Sequence, residues 1–228
     1  MDELLGLEGR AAIKARKAGR RAKNPMRIAT RKAQEYAETK SSRISFMQHM
    51  ESKEFDTNLA RKITNNDARL VDEAIYSVKK LEKVTKFFNS ADQKDFGITN
   101  LDGSRLPKGE AMVVTAIVLL RAEVTASGAA PTPDEIKQAV FTAWKGIKGD
   151  SLAVLTAKAH KKEIVSELPC YAFLNDANTK ESLHQLENPR LIKDEGEIEL
   201  ELTMPTMTGI TANTYVCAML VGTRAIPR

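Results

Sequence analysis

At 228 residues the chain is long enough for one sizeable domain with its own core, or at most two small ones. Its 42% hydrophobic and 29% charged residues match a soluble globular protein and exclude a wholly disordered or collagen-like chain. The net charge of +5 hides an asymmetry: ten basic residues and no acid lie between Gly9 and Gln34, so the remainder of the chain carries a net −5.

In chain order, Met1 to Leu7 is acidic and lacks the basic start and apolar stretch of a secretory signal, so no export is expected. The cationic run follows, comprising Arg10, Lys14, Arg16, Lys17, Arg20, Arg21, Lys23, Arg27, Arg31 and Lys32. It is alanine-rich, and a helix is expected over Leu4 to Lys23, with Pro25 interrupting it and a second helical stretch over Met26 to Thr39. Leu4, Leu7, Ala11 and Ala15 give only a thin apolar stripe, so this arm must draw its order from a partner or stay solvated. A concentrated cationic arm on a mildly acidic body is suited to neutralising phosphates or anionic lipid heads while the body packs against protein. Ser41 to Asn66, with Ile44, Phe46, Met47, Met50 and Phe55, reads as a linker with a short helix. Residues 1–66 are therefore the arm and linker, and 67–228 the folded domain.

From Asp67 the texture changes to short apolar runs separated by turn residues, which favours strands. Ala68 to Leu81 also fits a helical face, and context alone decides for a strand. A polar loop, Asn89 to Gly109, contains Asp102-Gly103 and Leu106-Pro107. Ala111 to Val124 is rich in β-branched residues and apolar on both faces, as a strand inside a sandwich would be. Its apolar run, Ala111 to Leu120, is broken by Thr115 and falls well short of the roughly 20 residues that cross a bilayer. Thr132 to Ile147 reads as a helix: Thr132 caps, Pro133 takes the first position, Glu135 completes a capping box, and Ile136, Val140, Ala143, Trp144 and Ile147 form the buried stripe. Ser151 to Lys158 and Lys162 to Leu168 are further strands. In Glu197 to Met204, Ile198, Leu200, Leu202 and Met204 face one way while Glu197, Glu199, Glu201 and Thr203 face the other. Thr214 to Thr223 is nearly all apolar, as a late strand inserted between others would be. The fold expected is mainly β: a β-sandwich with a helical basic arm and one inserted helix.

Several stretches, taken together, resemble a known family. They are Lys86-Phe87-Phe88-Asn89, then Gly97-Ile98-Thr99-Asn100-Leu101, then Leu106-Pro107-Lys108-Gly109-Glu110 running into Met112 to Leu120. Later come Leu186-Glu187-Asn188-Pro189-Arg190-Leu191-Ile192, the alternating strand through Pro205, and an ending at Leu220-Val221-Gly222-Thr223. Over Ala68 to Arg228 the order of these motifs is similar to the jelly-roll major capsid proteins of tailless icosahedral bacteriophages. The resemblance implies a single jelly roll that associates with copies of itself and with other virion proteins into an icosahedral shell, assembled in the host cytoplasm. It also implies an inward-reaching arm that contacts packaged nucleic acid or an internal membrane by charge.

Catalytic signatures are scarce. His49, His160 and His184 stand in unrelated contexts, and Cys170 and Cys217 lack the paired spacing of a zinc site and are expected reduced and buried. No Gly-x-Ser-x-Gly, Gly-x-x-x-x-Gly-Lys or Gly-x-Gly-x-x-Gly motif occurs, and Gly146, Gly149 and Asp150 read as a turn. Glu197, Glu199 and Glu201 fit an exposed face or a subunit contact better than paired-carboxylate chemistry. No enzyme activity, cofactor, metal or small-molecule substrate is expected. The alternative to a capsid subunit is a nucleic-acid-binding protein with a basic tail and a globular β domain; only 5% of residues are aromatic, so its contacts would be charge-driven.

Overall fold

The computed structural model describes residues 42–51, 55–144, 152–173 and 182–228. The expected arm helices lie outside the described residues. Among the described residues the fold is mainly β, two antiparallel sheets packed as a sandwich. The elements in order are α1 (Ser42–Met50), α2 (Thr57–Thr64), β1 (Ala68–Lys80), β2 (Val84–Lys86), β3 (Ala111–Glu123), α3 (Pro133–Gln138), β4 (Thr142–Ala143), β5 (Val154–Ala159), β6 (Lys162–Pro169), β7 (Leu183–Lys193), β8 (Ile198–Thr203) and β9 (Thr214–Pro227). The first sheet runs β1-β9-β3, with β7 and the two-residue β4 both on the far side of β3; the second runs β2-β8-β5-β6.

Four antiparallel pairs nest within one another: β1 with β9, β2 with β8, β3 with β7, and β5 with β6. They are the successive rungs of one long hairpin whose tip is the β5–β6 turn. Wrapping that hairpin on itself adds two further contacts, β9 against β3 and β8 against β5. The last strand thus becomes the centre of the first sheet, as its apolar sequence demands: Val216, Ala218 and Leu220 are wholly buried toward the second sheet. Facing them, β8 turns Ile198, Leu200 and Leu202 inward and its glutamates to solvent, in strict period-two alternation.

A bulge decides how β3 meets both faces. Met112 and Val114 point into the sandwich, but so do Ile117 and Leu119, so the side-chain phase reverses between them. Against β9 the register shifts between Val114 and Ala116, where one extra residue, Thr115, absorbs the change of phase; against β7 the pairing passes there from Arg190 to Gln185. Opposite the bulge stands Gly222. A Cβ built there would lie 1.9 Å from the Val113 carbonyl oxygen, so the close passage of the two backbones admits glycine alone.

The outer face of the first sheet is covered at both ends. Ala68, Ala111, Val113 and Ala225 pack under α1 and α2 with Phe46, Phe55 and Leu59. Val78, Val124 and Cys217 pack under Ile136 of α3. This explains why β3 is apolar on both faces.

Three readings from the sequence differ from the structure. The segment taken as a linker with one short helix forms α1 and α2, and Phe46 is fully buried against the sheet. The helix expected over Thr132 to Ile147 stops at Gln138: its capping box forms as expected, but Ala139 adopts extended backbone, and Thr142 and Ala143 pair with Arg121 and Leu120 of β3. A ladder to β3 replaces the expected helical turns, and Val140 of the expected stripe is 80% exposed while Trp144 is 1% exposed. Finally, Leu183–Lys193, to which the sequence reading assigned no element, is a strand, β7; it lies at a sheet edge, and Pro189 falls where it leaves the ladder with β3.

Candidate assembly and anion-binding surfaces

The ten cationic residues from Arg10 to Lys32 lie outside the described residues, so what the structure supplies is the place where the arm is rooted. The root is α1. Phe46 meets Phe55 edge-on at 5.5 Å between ring centres, and both join Leu59 over Ala111, Val113 and Ala225. Each such apolar side chain, fully buried, contributes about 1.5–3 kcal/mol, enough together to hold the two helices on the sheet. Polar contacts set their orientation: Arg43 lies 3.4 Å from Asp72, which also accepts a 3.1 Å hydrogen bond from Thr223, and His49 Nε2 is 3.1 Å from the Pro189 carbonyl. The first described element, α1, therefore lies on the outer face of the first sheet.

The second sheet presents its other face to solvent. Lys86, Thr156, Lys158, Glu199 and Glu201 line a cleft of about 530 Å³, walled by Phe88 to Ala91. Opposite charges alternate across it, with Lys86 3.9 Å from Glu201 and Lys158 3.8 Å from Glu163 at the β6 side. Exposed pairs of this kind contribute up to about 1 kcal/mol each. Glu199 and Glu201 of β8, with Glu197 just before it, lie on that outer face among lysines.

The histidines stand apart. His160, at the tip of the β5–β6 turn with φ of 51°, lays its ring against Gly196, its Nε2 3.1 Å from both the backbone N–H and the carbonyl of Lys193. It ties one sheet's hairpin to the turn that leads into β8. His184 packs edge-on to Phe173, and burial lowers its affinity for a proton. Cys170 and Cys217 are buried, and burial pushes the Cys217 thiol up to about 12, far from a reactive thiolate.

One charged cluster escaped the sequence reading. Arg224, 8% exposed, donates from Nε to Glu110 at 2.7 Å and from Nη1 to both Glu73 oxygens at 3.1 and 3.2 Å, while Nη2 also reaches Glu110. It fastens the end of β9 to β1 and to the start of β3. The three residues lie more than a hundred positions apart at the widest, and no local pattern marks them.

Among the described residues no group of three or more His, Cys, Asp and Glu side chains is placed to hold a metal ion. No helix among them is long and apolar enough to cross a membrane. No protein-family model matches the sequence, and no curated protein matches it.

Proposed function

We propose that this chain is a structural virion protein: a single jelly-roll subunit that tiles an icosahedral shell, with its basic arm contacting packaged nucleic acid or an internal membrane. The observation that carries the reading is the strand order. Nested pairs wrapped into sheets β1-β9-β3-β7 and β2-β8-β5-β6 support a jelly-roll reading, an architecture used by viral capsids as well as by lectins and cupins. The arm selects among these uses. Ten cations without an acid, joined to a helix clamped on one face of the sandwich, supply a polyanion contact on one side of a tile. On this reading the work of the protein is association, with no catalytic step, no cofactor and no small-molecule substrate, and its place is the virion, assembled in the host cytoplasm.

Electron microscopy and sedimentation of the purified full chain test the proposal. Large symmetric particles or oligomers are expected, and deleting the residues before Ser41 should lower their nucleic-acid content while the circular dichroism of the β fold persists. A protein that stays monomeric at high concentration, with and without nucleic acid, refutes it.

A further inference from the structure

At the β3 bulge the first sheet opens toward α1. The ladder with β7 passes from the pair Val114–Arg190 to the pair Ala116–Gln185, so Leu186 to Pro189 have no partner in β3 and stand opposite Thr115 alone. A cavity of about 270 Å³ occupies this gap. Ser45 and Gln48 of α1, Thr115 of β3, and Gln185 and Glu187 of β7 give it its polar lining. Leu186 and Pro189 add an apolar part. Its walls are fixed: Phe46 and Phe55 clamp α1 to the sheet, and His49 Nε2 lies 3.1 Å from the Pro189 carbonyl.

The lining calls for a polar ligand. Among the described residues the side chains of Ser45, Gln48 and Gln185 have no hydrogen-bond partner, although Ser45 is only 5% exposed. The Thr115 hydroxyl donates to the Val221 carbonyl at 3.3 Å and keeps its lone pairs to accept. A buried hydroxyl without a partner is unfavourable, and a ligand that bonds to it relieves that cost. Two amides, two hydroxyls and one carboxylate, brought together from three elements, offer such a ligand donors and acceptors in fixed places.

The same residues narrow its chemistry. None of the lining residues is a lysine or arginine, and the Glu187 carboxylate repels an anion, so a phosphate does not enter. Drug-sized ligands fill about 300–1,000 Å³, and a slightly smaller cavity suits a single nucleobase. Adenine fits the groups present: a glutamine amide reads its amino group and ring nitrogen together, hydroxyls bond to either, and a carboxylate accepts from the amino group. Thymine has no amino group to offer and would turn carbonyl oxygens toward Glu187.

We propose that this cavity takes one unstacked base, adenine in preference to thymine, from a single-stranded nucleic acid whose phosphates the cationic run holds. The inference rests on the polyanion reading above and adds a base contact to it. Lys32, the last cation of that run, is ten positions before Ser42, where α1 begins, and such a stretch reaches at most about 35 Å. One strand therefore meets both, with phosphate contacts supplying charge neutralisation and the cavity supplying base readout. An unpaired base displays the edge that the amides and Glu187 read, whereas a duplex hides it.

Fluorescence anisotropy of the full-length protein with short labelled single strands of deoxyadenosine and of thymidine, over a range of salt, tests the proposal. The wild type should bind the adenine strand about ten-fold more tightly than the thymine strand. The double substitution Gln48→Leu, Gln185→Leu should weaken the adenine strand alone and bring the two affinities together. Its slope of log K against log salt should stay that of the wild type, because the phosphate contacts are untouched. Both glutamines are exposed, so the melting temperature should not change. Glu187→Gln, also at an exposed position, should narrow the preference in the same way. Equal affinity of the wild type for the two strands, or a preference that survives the double substitution, overturns the inference and leaves the polyanion reading intact. A wild-type chain that binds neither strand overturns the inference together with the nucleic-acid side of that reading.

Discussion

Substituting Gly222→Ala tests the account of β3 most directly, because one methyl group would challenge the bulge that sets the strand's phase. The added Cβ would stand 1.9 Å from the Val113 oxygen, 2.9 Å from its carbonyl carbon and 3.0 Å from the Val114 Cα. These are main-chain atoms of the central pair of strands, so no side-chain rotation relieves the contact and the backbones must part by more than 1 Å or so. Overpacking of this kind costs about 1–3 kcal/mol. Weakening two ladder hydrogen bonds adds about 1–3 kcal/mol, and the lower chain entropy of alanine in the unfolded state returns about 0.4–1 kcal/mol. The expected loss is about 3 kcal/mol, which for a domain of this size lowers the melting temperature by about 6–12 °C. Urea denaturation should show a lower midpoint with an unchanged slope. Gly128→Ala is the control: a Cβ there meets nothing within 4 Å and φ is not positive, so its stability should stay within about 0.5 kcal/mol of the wild type. A Gly222→Ala protein less than about 1 kcal/mol below the wild type would show that β3 and β9 do not pass as closely as described.

Arg224→Met should cost about 3–5 kcal/mol, because it leaves Glu73 and Glu110 without the guanidinium between them; chemical denaturation measures it, and adding Glu73→Gln and Glu110→Gln should recover at least half. Glu135 provides a pH test: hydrogen bonds from Ser127 and Thr132 hold its carboxyl at about 2 instead of 4.5, so its stabilisation of α3 is complete above pH 4.5 and fades as the pH falls toward 2. A carboxyl carbon titration by nuclear magnetic resonance with its midpoint near 4.5 would contradict the capping box. With its thiol near 12, Cys217 is on the order of one part in ten thousand thiolate at pH 8, so iodoacetamide should label it only after unfolding; rapid labelling of the native protein would argue against its burial. Replacing Arg20 and Arg21 with alanine should flatten the salt dependence of duplex DNA binding by up to about 2 in the slope of log K against log salt, and an unchanged slope would remove both from the phosphate contacts.

Where one face of an element decides its partner, the residues announced it. The alternation from Ile198 to Met204 could be satisfied only by a strand with a buried and a wet face, and the all-apolar run after Thr214 only by a strand covered on both sides. Thr132, Pro133 and Glu135 likewise marked a helix start, since capping is local chemistry. The helix end was not legible: Ala143 and Trp144 keep a helical spacing from Ile136, and only β3, reached across a turn, could draw Thr142 and Ala143 into a ladder. Nor was β7 legible: a proline such as Pro189 is tolerated in a strand with a free edge, and edges exist only once sheets have formed.

The sequence by itself therefore determined the class of fold, the positions of most strands and the separation of a cationic arm from a mildly acidic body, because periodicity, capping and charge are properties of neighbouring residues. Tertiary structure alone decided the nested strand order, the reversal of phase at the β3 bulge and the Arg224 cluster. Each of these depends on backbones and side chains distant along the chain coming within a few ångströms, a distance that no local pattern encodes.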